Sequence, residues 1–130
     1  MPGQPQLPRP TDAELEILNV LWERGASTVR EVHEAIALRK PAQYTTTLKL
    51  LQIMTEKRLV RRDEAQRAHV YQAAQPREWT QQQLAGDLLQ RAFQGSAKGL
   101  LLGALSSRKA SKEELAELRR FLDEYERGDK

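Results

Sequence analysis

Two capping signals and one proline divide the N-terminal part of the chain into three predicted helices. Thr11 is followed three residues later by Glu14, and Thr28 by Glu31, which is the spacing of a capping box at a helix N-terminus. Apolar residues recur at helical spacing after each of these signals. Pro41 ends the second helix, because proline cannot continue the helical hydrogen-bond pattern.

The third helix is predicted over residues 44–57, and its faces differ in character. Its apolar residues form an inner face: Leu48, Leu51 and Met54. Thr45, Thr46 and Lys49 fall on the other faces. Because threonine is a poor helix former, three in a row at the N-terminal end indicate that the helix uses their hydroxyl and methyl groups. N-terminal capping by one of them is the alternative.

The hydrophobic period then changes from helical spacing to short alternation. Residues 59–62 and 68–71 form two alternating segments, and residues 63–67 between them are polar. This pattern predicts a β-hairpin. Three helices followed by a hairpin is the order of a winged helix-turn-helix, so the predicted fold class is mostly α with a small β wing.

The chain is predicted to have three parts, with Pro76 at the main boundary. Residues 1–10 carry four prolines and are predicted to be a disordered arm. Residues 11–75 are predicted to form a winged-helix domain, and residues 76–130 a C-terminal three-helix dimerisation domain.

Leucines recur at helical spacing throughout the C-terminal part, and Ser111 with Glu114 repeats the capping box before its last helix. A unit of this size buries its own apolar faces poorly, so a second copy is expected to cover them. Folding back onto the winged domain is the alternative. The residues expected at the dimer interface are Leu84, Leu88, Leu101, Leu105, Leu115, Leu118, Phe121, Leu122 and Tyr125.

The net charge of +3 conceals an uneven distribution along the chain. Residues 1–38 carry three basic and six acidic side chains, whereas residues 39–72 carry eight basic and three acidic ones. A basic segment inside a nearly neutral chain predicts a surface for a polyanion. A solvated basic face is the alternative.

The chain lacks the residues that several classes of function require. The chain has no Cys, which excludes disulfides, Cys-based zinc sites and thiol nucleophiles and fits a reducing cytoplasm. Its two histidines, His33 and His69, lie far apart, so no metal or other cofactor is expected. There is no phosphate-binding glycine motif and no nucleophile elbow, so an enzyme is not predicted. No apolar run is long enough for membrane insertion, and no signal peptide is visible.

Four stretches of the chain resemble the BlaI/MecI/CopY (penicillinase repressor) family of bacterial transcriptional repressors. The first two helices of that family are matched by TDAELEILNVLWERGASTVREVHEAI, and its recognition helix and first wing strand by YTTTLKLLQIMTEKRLVRRDE. Its second wing strand is matched by HVYQAA and its last helix by SKEELAELRRFLDE. The resemblance covers roughly residues 8–127 and implies a homodimeric repressor that binds pseudo-palindromic operator DNA.

The chain also departs from the family pattern in three places. The copper-responsive branch uses a C-terminal cysteine pair, which is missing, so copper sensing of that kind is excluded. Repressors of the β-lactam branch are cleaved at an Asn-Phe bond, and this chain has Gly103 and Ala104 at that position. These two residues are therefore the possible cleavage region for a membrane-bound sensor protease. Arg58 replaces a common glycine, so it must adopt a helix-end conformation that glycine reaches more easily.

The resemblance places the third helix in the major groove and the hairpin along the phosphates or the adjacent minor groove. Gln43 and Tyr44 would approach the DNA backbone, while Thr45 and Thr46 would reach base edges and Lys49 a guanine or phosphate. The expected wing contacts are Arg61, Arg62, Arg67 and His69. Two alternatives stay open: a winged-helix protein-interaction module without a DNA role, and a regulator that senses a small molecule.

Overall fold

The computed structural model describes residues 9–128, so most of the predicted arm lies outside the described residues. Within that range the chain is mostly α-helical, with one small antiparallel sheet, which confirms the predicted fold class. The elements are α1 (Asp12–Arg24), β1 (Ser27–Thr28), α2 (Val29–Ala37), α3 (Tyr44–Glu56), β2 (Val60–Asp63), β3 (Val70–Ala73), α4 (Arg77–Phe93), α5 (Ala97–Ser107) and α6 (Lys112–Arg127).

The first two helices begin where the capping boxes predicted. The Thr11 hydroxyl accepts a hydrogen bond from the Glu14 backbone N–H at 3.2 Å, and the Glu14 carboxylate accepts one from the Thr11 N–H at 2.9 Å. Thr28 and Glu31 repeat both bonds at the start of α2. Gly25 ends α1 with a φ of 87°, a conformation that glycine adopts without steric cost.

The third helix starts and ends close to its predicted limits, but no threonine caps it. Gln43 is the N-cap residue of α3, and it makes no side-chain capping hydrogen bond. Capping by a threonine is therefore wrong for this helix, and Thr47 is instead buried in the protein. Arg58 has a φ of 65°, which confirms that the chain leaves α3 through a left-handed residue.

The sheet has the strand order β1-β3-β2, and both pairings are antiparallel. The predicted hairpin is confirmed, although its second strand begins at Val70, two residues later than predicted. Val60 pairs with Ala73 and Asp63 with Val70, so the connecting turn covers residues 64–69. The short strand β1 was not predicted, because two residues are too few to show alternation.

One apolar core holds the three helices and the sheet together. Its members come from α1, α2, α3, β2 and β3: Ile17, Leu18, Val20, Leu21, Val29, Val32, Ile36, Leu51, Met54, Val60 and Tyr71. Glu14 is also buried, at 2% exposure, and its carboxylate oxygens lie 2.9 and 3.1 Å from Lys57 Nζ. This ion pair links the start of α1 to the end of α3.

The core-containing unit extends past the predicted boundary at Pro76. The indole N–H of Trp22 donates to the Gln75 carbonyl at 2.9 Å, and the Arg77 guanidinium lies 5.7 Å from the centre of the Trp22 ring. Thr80, in the first turn of α4, is buried. The chain divides into two compact units after Leu84, so the first part of α4 belongs with the winged domain.

The second unit begins at Ala85 and contains the rest of α4 with α5 and α6. A Cβ added at Gly103 would lie 3.5 Å from the Phe93 ring, and one added at Gly99 would also contact that ring at 3.5 Å. The third predicted capping box is only half formed. The Ser111 hydroxyl accepts from the Glu114 N–H at 3.0 Å, but the Glu114 carboxylate accepts from Arg108 at 3.3 Å.

Candidate nucleic-acid interface

The two sides of α3 have the difference in burial that its sequence predicts. Leu51 and Met54 are fully buried, and Leu48 packs against the core beside them. The side chains of Thr45, Thr46 and Lys49 are all exposed. The core fixes the orientation of α3 through its apolar face and leaves two hydroxyls, two methyl groups and one ammonium on a surface that a ligand can reach.

The N-terminal end of α3 joins this exposed surface. Because Gln43 supplies no cap, the N–H groups of the first helical turn have no side-chain acceptor within residues 9–128, and the helix dipole makes this end partially positive. Tyr44, the first residue of the helix, keeps 44% of its surface exposed. Its ring meets the His33 ring edge-on, with the ring centres 5.7 Å apart. Gln43 and Tyr44 therefore adjoin Thr45 and Thr46 on an electropositive helix end.

The two adjacent wing arginines differ in how strongly the protein itself holds them. Arg62 lies opposite Tyr71 in the sheet, and a hydrogen bond that the Arg62 guanidinium donates to the Tyr71 hydroxyl oxygen raises the pKa of Arg62. Its guanidinium also lies 2.7 Å from a Glu64 carboxylate oxygen. Arg61 lies opposite Gln72 and forms no ion pair with any residue that the structure describes. Arg61 is thus the arginine of β2 that is available to a ligand.

The remaining wing residues lie in the turn between the two strands. Arg67 and His69 are exposed there, and the Asp63 carboxylate accepts a hydrogen bond from the Ala65 N–H at 2.9 Å. An open hollow of about 370 Å³ borders the strands, lined by Ala26, Arg61, Arg62, Asp63, Val70 and Gln72. The wing therefore offers a polar surface with arginine side chains at its edge.

The basic segment divides into paired and unpaired charges. Lys40 lies 2.8 Å from Glu16, and Lys57 is paired with Glu14, so both have a carboxylate partner within the protein. Lys49 and Arg67 form no ion pair within residues 9–128. The unpaired positive charge of this segment thus includes the exposed side of α3 and the hairpin.

Two kinds of feature are missing from the residues that the structure describes. Over residues 9–128, no three His, Cys, Asp or Glu side chains are grouped so that they could hold a metal ion. No helix in the same range is long and apolar enough to span a bilayer.

The sequence matches a known family over almost all of its described length. The family model for penicillinase repressors covers residues 10–124. The chain belongs to the penicillinase repressor family. Two relatives named transcriptional regulator BlaI, from Mycobacterium tuberculosis strains CDC 1551 / Oshkosh and ATCC 25618 / H37Rv, are each 35% identical to it over 124 residues. These alignments include 95% of the chain and 89% of each relative.

Family membership makes the chain a DNA-binding transcriptional repressor. The resemblance that its sequence motifs indicated is confirmed. The surface formed by the exposed side of α3, its N-terminal end and the β2–β3 hairpin is accordingly the candidate DNA interface of the repressor.

The residues expected at a dimer interface of the repressor are mostly accessible. Leu84 is half-buried in the first unit. In the second unit Leu105, Leu115 and Leu118 are half-buried. The others are exposed: Leu88, Leu101, Phe121, Leu122 and Tyr125. The residues of the possible cleavage region, Gly103 and Ala104, are exposed within α5.

Three features of the first unit were missed at the sequence level. The Glu14–Lys57 ion pair joins residues 43 positions apart, and no local pattern indicates such a contact. The interaction between Arg62 and Tyr71 depends on the register of the two strands, which the residues of the turn do not specify. The sequence marks His33 only as one of two histidines too far apart to share a metal, although its three-residue spacing from Ile36 places it beside a core position of α2.

Proposed function

We propose that the repressor acts as a homodimer on a pseudo-palindromic operator, with α3 in the major groove and the β2–β3 hairpin along the neighbouring phosphates. The observation that carries this proposal is the exposed side of α3. Thr45, Thr46 and Lys49 all face away from a core that fixes the opposite side of the same helix. A helix held in this way presents base-reading groups at a defined orientation.

Each group of residues has a separate task in this proposal. Thr45 and Thr46 offer hydroxyls to base edges and methyl groups to thymine, and Lys49 reaches a guanine or a phosphate. Gln43 and Tyr44 approach the DNA backbone at the positive end of α3. The wing adds salt-sensitive phosphate contacts through Arg61, Arg67 and His69, while Arg62 contributes less because Tyr71 and Glu64 already hold it.

The dimer is proposed from the second unit of the chain. The helices α5 and α6 have no buried residue, although both carry leucines. Phe121 and Leu122 of α6 keep 58% and 51% of their surfaces exposed. Apolar side chains arranged at near-heptad spacing and left exposed are typical of helices that pair with another copy. Two copies would bind two half-sites and so multiply the affinity of one winged domain.

Release from DNA follows in this proposal when the two copies separate. Each half-site alone binds weakly, so a cut within α5 would reduce operator affinity. Gly103 and Ala104 are exposed, which allows access by a protease, although local unwinding of α5 has to precede cleavage. A membrane-bound sensor protease is the partner that this route requires.

The recognition surface is tested with the double variant Thr46→Ala/Lys49→Ala. The parent protein first selects a duplex from a randomised DNA pool, and fluorescence anisotropy then measures the affinity of each protein for that duplex. We expect the double variant to bind at least roughly tenfold more weakly, because it lacks a base contact and a charge contact. Lys98→Ala removes an exposed charge from α5 and serves as the matched control, with affinity close to that of the parent.

Two results would contradict the proposal. A parent protein that selects no duplex would remove the DNA-binding role of the whole surface. A double variant that binds the selected duplex as tightly as the parent does would show that α3 is not the helix that reads the bases.

A further inference from the structure

The His33 side chain has a buried nitrogen whose position does not contribute to the stability of the fold. His33 lies on α2, between the core residues Val32 and Ile36, and is itself half-buried. Its Nδ1 atom is buried and has no hydrogen-bond partner among the described residues. A buried polar atom without a partner destabilises the fold, so an apolar side chain of similar size would serve packing better.

The described contact of the His33 ring is with the first residue of the recognition helix. The rings of His33 and Tyr44 meet edge-on, with centres 5.7 Å apart and planes at 77°. This is the geometry that aromatic quadrupoles favour. The contact joins α2 to α3 at the end of α3 that would approach the DNA backbone.

Tyr44 needs such a contact if its hydroxyl is to have a fixed position. Its side chain is 44% exposed at the open end of the helix, and it makes no hydrogen bond within the described chain. A half-exposed tyrosine with no hydrogen bond can change rotamer freely, and ordering it on binding DNA costs conformational entropy. A neighbouring ring restricts that freedom before the DNA arrives.

We propose that His33 is a positioning residue for DNA binding, which holds the Tyr44 ring so that the Tyr44 hydroxyl donates to a phosphate of the DNA backbone. The inference rests on the proposed function, because it assumes that the N-terminal end of α3 faces DNA. His33 acts through its ring and contributes no direct contact with the DNA.

A double-mutant cycle tests this role with the duplex that the parent protein selects from a randomised pool. His33→Leu keeps apolar volume but removes the aromatic ring, and Tyr44→Phe keeps the ring but removes the hydroxyl. We expect His33→Leu to weaken binding roughly threefold to tenfold in the parent background. In the Tyr44→Phe background the same change should have less than about a twofold effect, because the positioned hydroxyl is already missing.

His33→Phe separates positioning from packing. This variant keeps a ring beside Tyr44 and removes the unpaired nitrogen, so it should bind the duplex within about twofold of the parent and unfold at an equal or higher urea concentration. Urea unfolding of all four variants shows whether each one is folded under the binding conditions.

The outcomes distinguish this inference from the proposed function. If the parent selects no duplex, both fail. If the parent binds DNA but His33→Leu has the same effect in both backgrounds, or no effect in either, the positioning role is overturned and the proposed function remains. The inference is also wrong if Tyr44→Phe binds like the parent, or if His33→Phe binds as weakly as His33→Leu.

Discussion

The two compact units of the chain differ in what they do with their apolar side chains. In the first unit, Ile17, Val32 and Leu51 are completely buried by helices and strands of the same chain. In the second unit, α5 and α6 bury no residue, and Phe121, Leu122 and Tyr125 each keep more than half of their surface exposed. The first unit is complete as a single copy, whereas the second unit has apolar surface that a further chain can cover.

This difference has a physical origin in the number of elements that surround each helix. α1 lies against α2, α3 and the sheet, so apolar residues around more than one side of it become buried. α6 carries its apolar residues beside many charged ones, and a helix of this kind hides its apolar stripe only against a partner. In the proposed function, the first unit positions the DNA contacts, and the second unit pairs with another copy of the chain.

The largest effect is expected from Leu51→Ala in the core of the first unit. Removing a completely buried leucine should lower the free energy of unfolding by about 2–5 kcal/mol. Both tryptophans, Trp22 and Trp79, lie in the first unit, so tryptophan fluorescence during urea unfolding follows that unit specifically. Leu122→Ala, at an exposed position of α6, should leave this transition within about 0.5 kcal/mol of the parent.

Equal losses for Leu51→Ala and Leu122→Ala would break the comparison, because the first unit would then depend on the second for its stability.

A smaller effect is expected from the buried ion pair of the first unit. Glu14→Gln leaves Lys57 without its carboxylate partner, and we expect a loss of about 1–2 kcal/mol, reduced from a fully buried case because the Lys57 side chain is 30% exposed. Glu16→Gln, which breaks the exposed pair with Lys40, is the matched control and should change stability by less than about 0.5 kcal/mol. Urea unfolding followed by tryptophan fluorescence measures both variants.

If the Glu14 and Glu16 variants lose the same stability, burial does not strengthen the link between α1 and α3, and the first unit is held by its apolar core alone.

Local signals in the sequence predicted most of the first unit. The capping boxes at Thr11 and Thr28 gave the starts of α1 and α2, because the interacting groups are only three residues apart. The apolar spacing of Leu48, Leu51 and Met54 gave the inner side of α3. Each of these features is determined by residues within one helix, so it can be predicted from the sequence of that helix alone.

Features that join distant residues were not predictable in the same way. β1 is two residues long and exists because Ser27 and Thr28 pair with Tyr71 and Val70. The contact between His33 and Tyr44 depends on how α2 packs against α3, which helical spacing does not specify. At Ser111 the sequence shows the full capping-box spacing, but only half of the box forms, and the Glu114 carboxylate accepts a hydrogen bond from Arg108 instead.

The proposed DNA contacts combine both kinds of information. Residue type and spacing marked Thr45, Thr46 and Lys49 on one helix, and the fold then showed all three to be exposed. The sequence alone does not indicate which of Arg61 and Arg62 is available to bind DNA, because their environments differ only through the sheet register and through Glu64.

The assembly of the second unit is the central claim, and sedimentation velocity at micromolar concentration tests it most directly. The account predicts a dimer for the parent protein and a dissociation constant about tenfold higher or more for Leu122→Ala. Leu38→Ala removes an equally apolar side chain, 88% exposed, from the first unit and should leave the dimer unchanged. A parent protein that sediments as a monomer would contradict the account.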